Sequence, residues 1–109
     1  MVKQEMKIIE QIHLQKYIYL LNLFIEKHIE ITLFENIFLK IRSEDNFWLE
    51  GYFTKDVSKV LDAFFLDVDE YCPVNLYDPS DKFNINEVEL RKRAMNTLNR
   101  LKTPNRSSL

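Results

Sequence analysis

The stretch Leu61-Asp-Ala-Phe-Phe-Leu-Asp-Val-Asp-Glu-Tyr-Cys-Pro73 decides the predicted fold, because it joins a helical apolar stripe to a row of acids. At about 100° per residue, one side of the helix containing this stretch is apolar and is predicted to face a core. The helix is predicted to end near Tyr71, because Pro73 cannot continue a helix and disfavours helical geometry just before it. The apolar side consists of Val57, Val60, Leu61, Phe64, Val68, Tyr71 and Cys72.

The opposite side of this helix is acidic. No basic residue lies between positions 59 and 82, so these acids have no lysine or arginine nearby in the sequence. We therefore interpret this side as a binding surface for a basic partner. Its outward residues are Asp62, Leu66, Asp69 and Glu70.

Composition predicts a single all-α domain. The 109 residues are 46 % hydrophobic and 29 % charged, which is typical of a globular protein that buries a core without disulfides or metal. One glycine in the whole chain argues against strand-rich folds, which need many tight turns. We predict a compact bundle of four main helices over residues 1–102, with an acidic loop between the third and fourth helices. Residues 103–109 are predicted to be a disordered tail.

The first predicted helix runs from about Gln4 to His28. Ile8, Ile12, Tyr19 and Leu23 form one stripe along it. From Tyr17 to Ile25 apolar residues occur nearly all round the helix, which indicates contact on more than one side. Two interpretations follow: a central helix of the bundle, or a helix that pairs with a second copy of the chain or with another protein.

Capping patterns place the next two helices. Thr32 and Glu35 form a capping box that predicts a second helix, which continues to about Arg42. The aromatic cluster at residues 47–53 predicts a short helix or turn that closes one end of the bundle. Thr54 is then predicted to cap the third helix.

The fourth helix is predicted to begin after Asn86, where acids in the first turn suit the helix dipole. Residues 73–86, rich in Pro, Asn and Asp, form the acidic connection before it. The inward side of the fourth helix is predicted to consist of Val88, Met95, Leu98 and Leu101, with Leu90 as a further member.

Charge is unevenly distributed along the chain. Residues 62–89 hold eight acids and one lysine, whereas residues 90–109 hold six basic residues and no acid. Arg91, Lys92 and Arg93 raise the question of nucleic-acid binding. We interpret them instead as surface charge that suits the helix dipole, because the larger field of the domain is acidic.

The residues needed for catalysis do not form a recognisable set. His13 and His28 lie on one predicted helix, about 22 Å apart along its axis, so they cannot share a site. Cys72 stands alone beside a proline, and a phosphate-binding glycine loop is excluded by the glycine count. The run from Asp67 to Glu70 lacks the glycine of a calcium loop. We predict no enzyme activity, no cofactor and no metal.

The expected location is the cytoplasm. One cysteine leaves no intrachain disulfide, the first residues do not resemble a signal peptide, and the apolar run Tyr17 to Ile25 is too short to span a membrane.

The pattern Leu61-Asp-x-x-Phe-x-x-Asp-Val-Asp-x-Tyr-Cys-Pro73, with Asn86-Glu-x-Glu-Leu-Arg91 downstream, resembles the signature of colicin D-type immunity proteins. That family includes immunity proteins encoded beside contact-dependent growth-inhibition toxins. The resemblance covers roughly Asn46 to Leu101. It implies an all-helical antitoxin that binds one cognate toxin, typically a tRNA-cleaving nuclease, and blocks its active site.

The acidic side fits such a role. A nuclease binds RNA phosphates through lysine and arginine, and the carboxylates of an inhibitor can bind the same side chains in place of the phosphates. We expect Asp62, Asp69 and Glu70 to pair with toxin cations and Leu66 to be an apolar contact. Asp67, Asp78 and Asp81 are secondary candidates, with Asp67 alternatively bonded within the fold. The alternative functions are a helical adaptor or self-associating regulator that uses Tyr17 to Ile25, and a nucleic-acid-binding regulator that uses Arg91 to Arg93.

Overall fold

Five helices make up almost all of the described chain. The computed structural model describes residues 3–73 and 85–102. The helices are α1 Lys3–Ile25, α2 Ile31–Ser43, α3 Asn46–Leu49, α4 Lys55–Glu70 and α5 Glu87–Lys102. The prediction of an all-α bundle with four main helices is therefore confirmed, and α3 is the short helix predicted for the aromatic cluster. The predicted tail and most of the predicted acidic loop lie outside the described residues.

The buried side of α1 is not the stripe of Ile8, Ile12 and Tyr19, whose side chains are 55 %, 66 % and 67 % exposed. At about 100° per residue, α1 carries two apolar stripes on roughly opposite sides. The core takes the second stripe, which can pack against both α2 and α5. Its members are Leu14, Tyr17, Leu20, Leu21 and Phe24.

The end of α1 comes three residues earlier than predicted. Lys27 has a φ of 62° and adopts the left-handed conformation. The Lys27 amide donates to Phe24 and the His28 amide donates to Leu23. This pair of bonds is a Schellman motif, which satisfies the last carbonyls of a helix and turns the chain.

The capping-box prediction for α2 was wrong. The helix begins at Ile31, and its N-cap is Glu30, whose side chain makes no cap hydrogen bond. Thr32 is therefore inside the first turn. Ile31 is buried, and burying an isoleucine contributes about 1.5–3 kcal/mol, more than the ~1 kcal/mol of a typical cap. Packing outweighs the cap at this position.

The limits of α4 agree with the sequence. It starts directly after Thr54 and ends at Glu70, with Tyr71 as its C-cap. Thr54 stands at the predicted N-cap position, but its side chain makes no cap hydrogen bond. Val57, Leu61, Phe64 and Val68 are buried, as predicted. Phe64 packs against Phe34 and Phe38 of α2, with ring centroids 6.1 and 5.3 Å apart.

The inward side of α5 was predicted only in part. Asn86 caps the helix, because its Oδ1 accepts a hydrogen bond from the Glu89 amide at 2.9 Å. Val88 and Met95, however, are 77 % and 43 % exposed. The small residues Ala94 and Thr97 take their place, because they lie on the same side as the predicted leucines. The buried set is Leu90, Ala94, Thr97, Leu98 and Leu101.

A short bridge joins the two ends of the acidic connection. The Cys72 amide donates to the Ile85 carbonyl at 2.9 Å, and the Ile85 amide donates to the Glu70 carbonyl at 3.2 Å. These bonds form a parallel bridge between Tyr71 and Ile85. The start of α5 is thereby fixed beside the end of α4. Among the described helices, none is long and apolar enough to cross a membrane.

Candidate functional site

The predicted acidic side of α4 is exposed in the structure. Asp62 and Asp69 are exposed, Leu66 is 56 % exposed, and Glu70 is half-buried next to the bridge. Positions 62, 66 and 69 follow helical spacing and form one row that is about 10 Å long. A rigid helix therefore presents two carboxylates with an apolar side chain between them.

Asp62 is held in place by α3. The Trp48 indole Nε1 donates to Asp62 Oδ1 at 2.9 Å. Because the indole is buried among Tyr17, Phe38 and Phe53, it fixes the position of one carboxylate oxygen. This bond could not be predicted from the sequence, since the two residues are 14 positions apart and lie on different helices.

The position of α3 in turn depends on Asp45, a buried carboxylate. Asp45 accepts hydrogen bonds from the amides of Phe47 and Trp48, and from the Tyr17 hydroxyl at 2.5 Å. Lys16 Nζ lies 3.0 Å from its Oδ2. Helix α1 thus holds the N-cap of α3, and α3 holds Asp62.

The same network shifts two pKa values in opposite directions. Burial alone would raise the pKa of Asp45, but the hydrogen bonds from Tyr17 and Lys16, with the charge of Lys16, hold it below its ordinary value. The pKa of Tyr17 is raised, first by burial and then by its bond to Asp45. The folded state therefore favours the Asp45 anion beside a neutral Tyr17.

A pH dependence of stability follows for Asp45. Its contribution is fully present above the unfolded pKa of about 3.9 and is lost as the pH falls toward the lower folded pKa. We expect the difference in unfolding free energy between the native chain and Asp45→Asn to shrink as the pH falls from about 6 to about 3. Urea denaturation at several pH values measures it. A difference that stays constant over this range would contradict the assignment.

Asp67 lies in the contact between α4 and α5 rather than on the exposed row. Arg93 Nη1 donates to Asp67 Oδ1 at 2.7 Å, and Arg93 Nε donates to Glu89 at 3.0 Å. The hydrogen bonds to Glu89 and Asp67 raise the pKa of Arg93. The structure therefore gives Asp67 the alternative arrangement considered from the sequence, a bond within the fold.

The basic patch of α5 is largely engaged within the chain. Arg91 pairs with Glu87 at 2.8 Å, donates to the Phe24 carbonyl and stacks over the Phe24 ring. With Arg93 paired as well, Lys92 is the member of the patch that remains exposed. This arrangement does not favour the nucleic-acid interpretation.

Helix α2 contributes a further acid, Glu35, which was predicted to belong to a capping box. Burial raises the pKa of Glu35, and the charge of Asp69 raises it further. Burial also raises the pKa of Tyr71, followed by the charges of Glu87 and Glu35. Glu35 and Asp69 therefore lie close enough to repel each other and belong to one acidic surface. Glu35 lies three residues before the buried Phe38, and this helical spacing was the signal available in the sequence.

Helix α2 also contributes one cation to this surface. The Arg42 guanidinium carbon lies 4.0 Å from the centroid of the Phe65 ring and 5.1 Å from that of the Trp48 ring. Phe65 lies on α4 beside the exposed row. We call this surface the α2–α4 face, defined by Glu35, Arg42, Asp62, Phe65, Leu66 and Asp69.

Two of the predicted site residues, Asp78 and Asp81, lie outside the described residues.

The histidines are separate, as expected: His13 stacks on Phe47 with centroids 3.9 Å apart, and His28 lies 3.2 Å from Glu26. Within residues 3–73 and 85–102, no group of three or more His, Cys, Asp or Glu side chains is placed to hold a metal ion.

Comparison with protein families gives a match over most of the chain. The family model described as bacterial self-protective colicin-like immunity matches residues 12–101, from the middle of α1 to the last turn of α5. The match extends well before Asn46, where the resemblance noted from the sequence began. Searches among curated proteins and among solved structures found no match.

Proposed function

Because the chain belongs to the bacterial self-protective colicin-like immunity family, we propose that it neutralises one cognate toxin by covering a basic active site with the α2–α4 face. The family supports toxin neutralisation through a protein partner. The nuclease type and the mode of inhibition proposed below rest on the chemistry of that face.

One observation carries the proposal: three acids that have no ion pair with a lysine or arginine of the described chain lie together on the α2–α4 face. Asp45, Asp67, Glu87 and Glu89 each pair with a lysine or arginine of the chain. Glu35, Asp62 and Asp69 have no such ion pair among the described residues and lie on the α2–α4 face. Repulsion between Glu35 and Asp69 raises the pKa of Glu35 beyond the effect of burial. Cations from a partner would relieve that repulsion.

The partner that fits this face is a nuclease. Enzymes that bind nucleic acid contact phosphates with lysine and arginine, so their active sites are basic. Carboxylates fixed on a helix can occupy those cations in place of phosphates, and their field also speeds the encounter. Leu66 between the acids would supply apolar contact at the centre, where binding energy is concentrated. Glu70 would extend the row at the end of α4.

The proposed toxin class is a tRNA-cleaving nuclease of the colicin D or contact-dependent growth-inhibition type. Such a substrate places both the toxin and its inhibitor in the cytoplasm. The inhibitor would act by binding alone, without catalysis, cofactor or metal, and would have no appreciable affinity for nucleic acid itself.

The test is co-expression with the toxin domain encoded beside this chain, scored by cell growth and by co-purification of the two proteins. We expect growth to be restored and a stable complex to be recovered. The purified complex should no longer cleave tRNA in vitro. Continued growth arrest without a recoverable complex would refute the proposal.

Self-association is a second candidate, favoured by the exposed stripe of Ile8, Ile12 and Tyr19. In the segment Tyr17 to Ile25, four of the nine residues are buried, four are half-buried, and Tyr19 is exposed. A homodimer through α1 would therefore use this stripe, with Tyr19 as the member from the predicted segment. This candidate does not exclude toxin binding, because the stripe is separate from the α2–α4 face.

If the stripe forms a dimer, Ile12→Lys is expected to convert it to a monomer, because two lysines would meet across the apolar contact. Sedimentation velocity over a range of concentrations measures the change. Val88→Lys is the matched control, since it alters an equally exposed apolar residue on α5. A native chain that remains monomeric at about 100-fold above its toxin Kd would rule this candidate out.

A further inference from the structure

Arg42 differs from Arg91 and Arg93, the other two half-buried arginines among the described residues. Arg91 and Arg93 both pair with carboxylates of the chain. Arg42 forms no ion pair within residues 3–73 and 85–102, and its buried Nε has no hydrogen-bond partner there. It is the cation of an otherwise acidic surface.

Two aromatic rings contact the Arg42 guanidinium. The distances from its central carbon, 4.0 Å to the Phe65 centroid and 5.1 Å to the Trp48 centroid, are in the range of cation–π contact. A cation–π contact uses the face of a guanidinium, so the terminal Nη N–H donors can still bind planar acceptors such as carboxylate. The Trp48 ring that contacts Arg42 also donates its indole N–H to Asp62, and Phe65 precedes Leu66 on α4. Contacts with these two rings therefore place Arg42 on the same face as the acids.

We propose that Arg42 receives a carboxylate of the toxin, so that the interface contains one ion pair of reversed polarity among the acidic contacts. This inference rests on the proposed function. A row of acids alone can pair with a basic surface in several relative alignments of the two proteins. A cation that shares Trp48 with Asp62 disfavours every alignment that places a toxin lysine or arginine over it, and selects a toxin that has an aspartate or glutamate there. Arg42 would thus determine specificity, while the acids provide the general attraction.

The test compares Arg42→Met with the native chain in binding to the toxin domain. Methionine keeps the apolar contact with the rings and removes the charge. We expect binding to weaken about 30-fold, mainly through faster dissociation, because the toxin carboxylate is left without its partner. Arg42→Lys should recover only part of the affinity, since ammonium lacks the planar pair of donors. The control is Lys40→Met, which removes an exposed charge from the same helix and should stay within about twofold of the native affinity.

A second measurement leaves this chain unchanged. Each aspartate and glutamate on the toxin surface is replaced by alanine, and each variant is measured against both native and Arg42→Met chains. One toxin carboxylate should show a coupling of about 10-fold or more with Arg42. If no carboxylate couples, or if folded Arg42→Met binds as tightly as the native chain, the inference is overturned while toxin neutralisation stands. If the native chain binds no toxin at all, both the proposed function and this inference are wrong.

Discussion

Replacing both Asp62 and Asp69 with lysine is expected to weaken toxin binding by about 1,000-fold or more and to abolish rescue of growth. Each change places a lysine where the toxin presents its own cations. Like charges in contact across an interface cost several kcal/mol, and about 4 kcal/mol in total corresponds to roughly three orders of magnitude in Kd. The association rate should also fall and lose its dependence on ionic strength.

The controls for this variant separate charge from folding. Asp62→Asn with Asp69→Asn removes the charges but keeps an acceptor for the Trp48 indole, and we expect an intermediate loss. Glu5→Lys with Glu26→Lys makes the same net change in charge at exposed sites on and after α1. That variant should bind nearly as tightly as the native chain. A folded Asp62→Lys, Asp69→Lys chain that binds within about threefold of native would place the toxin elsewhere on the molecule.

Replacing Asp45 with alanine is expected to lower the free energy of unfolding by about 3–5 kcal/mol. The change leaves Lys16 without its partner and removes the acceptor of Tyr17 and of two α3 amides. The cost comes mainly from the buried Tyr17 hydroxyl and the Trp48 amide, each of which loses its acceptor at about 1–3 kcal/mol; Lys16, whose side chain is 38 % exposed, adds little because water replaces its partner. Urea denaturation at neutral pH measures the loss.

Two further variants set the scale for Asp45→Ala. Tyr17→Phe removes a single donor and should cost about 1–2 kcal/mol. Asp56→Ala removes an exposed acid from the first turn of α4 and should cost less than about 1 kcal/mol. A loss for Asp45→Ala no larger than that for Asp56→Ala would show that the network does not hold α3.

Local patterns predicted the fold where propensity, capping and burial agree. Both ends of α4 and its buried side followed from apolar spacing, Thr54 and Pro73. The cap of α5 at Asn86 followed in the same way. The prediction of an inward Val88 and Met95 was wrong, because at about 100° per residue both lie roughly 140–160° round the helix from the buried Leu90. The short side chains of Ala94 and Thr97 occupy that inward side instead.

The candidate site was harder to predict from the sequence than the fold, because its residues come from three helices. The row on α4 could be predicted, since one helix supplies all its members. The bond from Trp48 to Asp62, the closeness of Glu35 to Asp69 and the stacking of Arg42 on Phe65 all depend on how α2, α3 and α4 pack. No spacing within one helix encodes such contacts. For α1 the sequence held two opposite apolar stripes, and only the packed neighbours decide which one is buried.

The bridge between Tyr71 and Ile85 has a consequence for how such a protein can change its partner over evolution. Its hydrogen bonds are made by Glu70, Cys72 and Ile85, so the end of α4 and the start of α5 are held together on either side of the connecting segment. The entropy cost of closing a loop grows slowly with its length, by about 0.6 kcal/mol for each doubling. Insertions, deletions and substitutions between these anchors can therefore accumulate at little cost to the frame, which leaves that segment free to diverge as a toxin surface diverges.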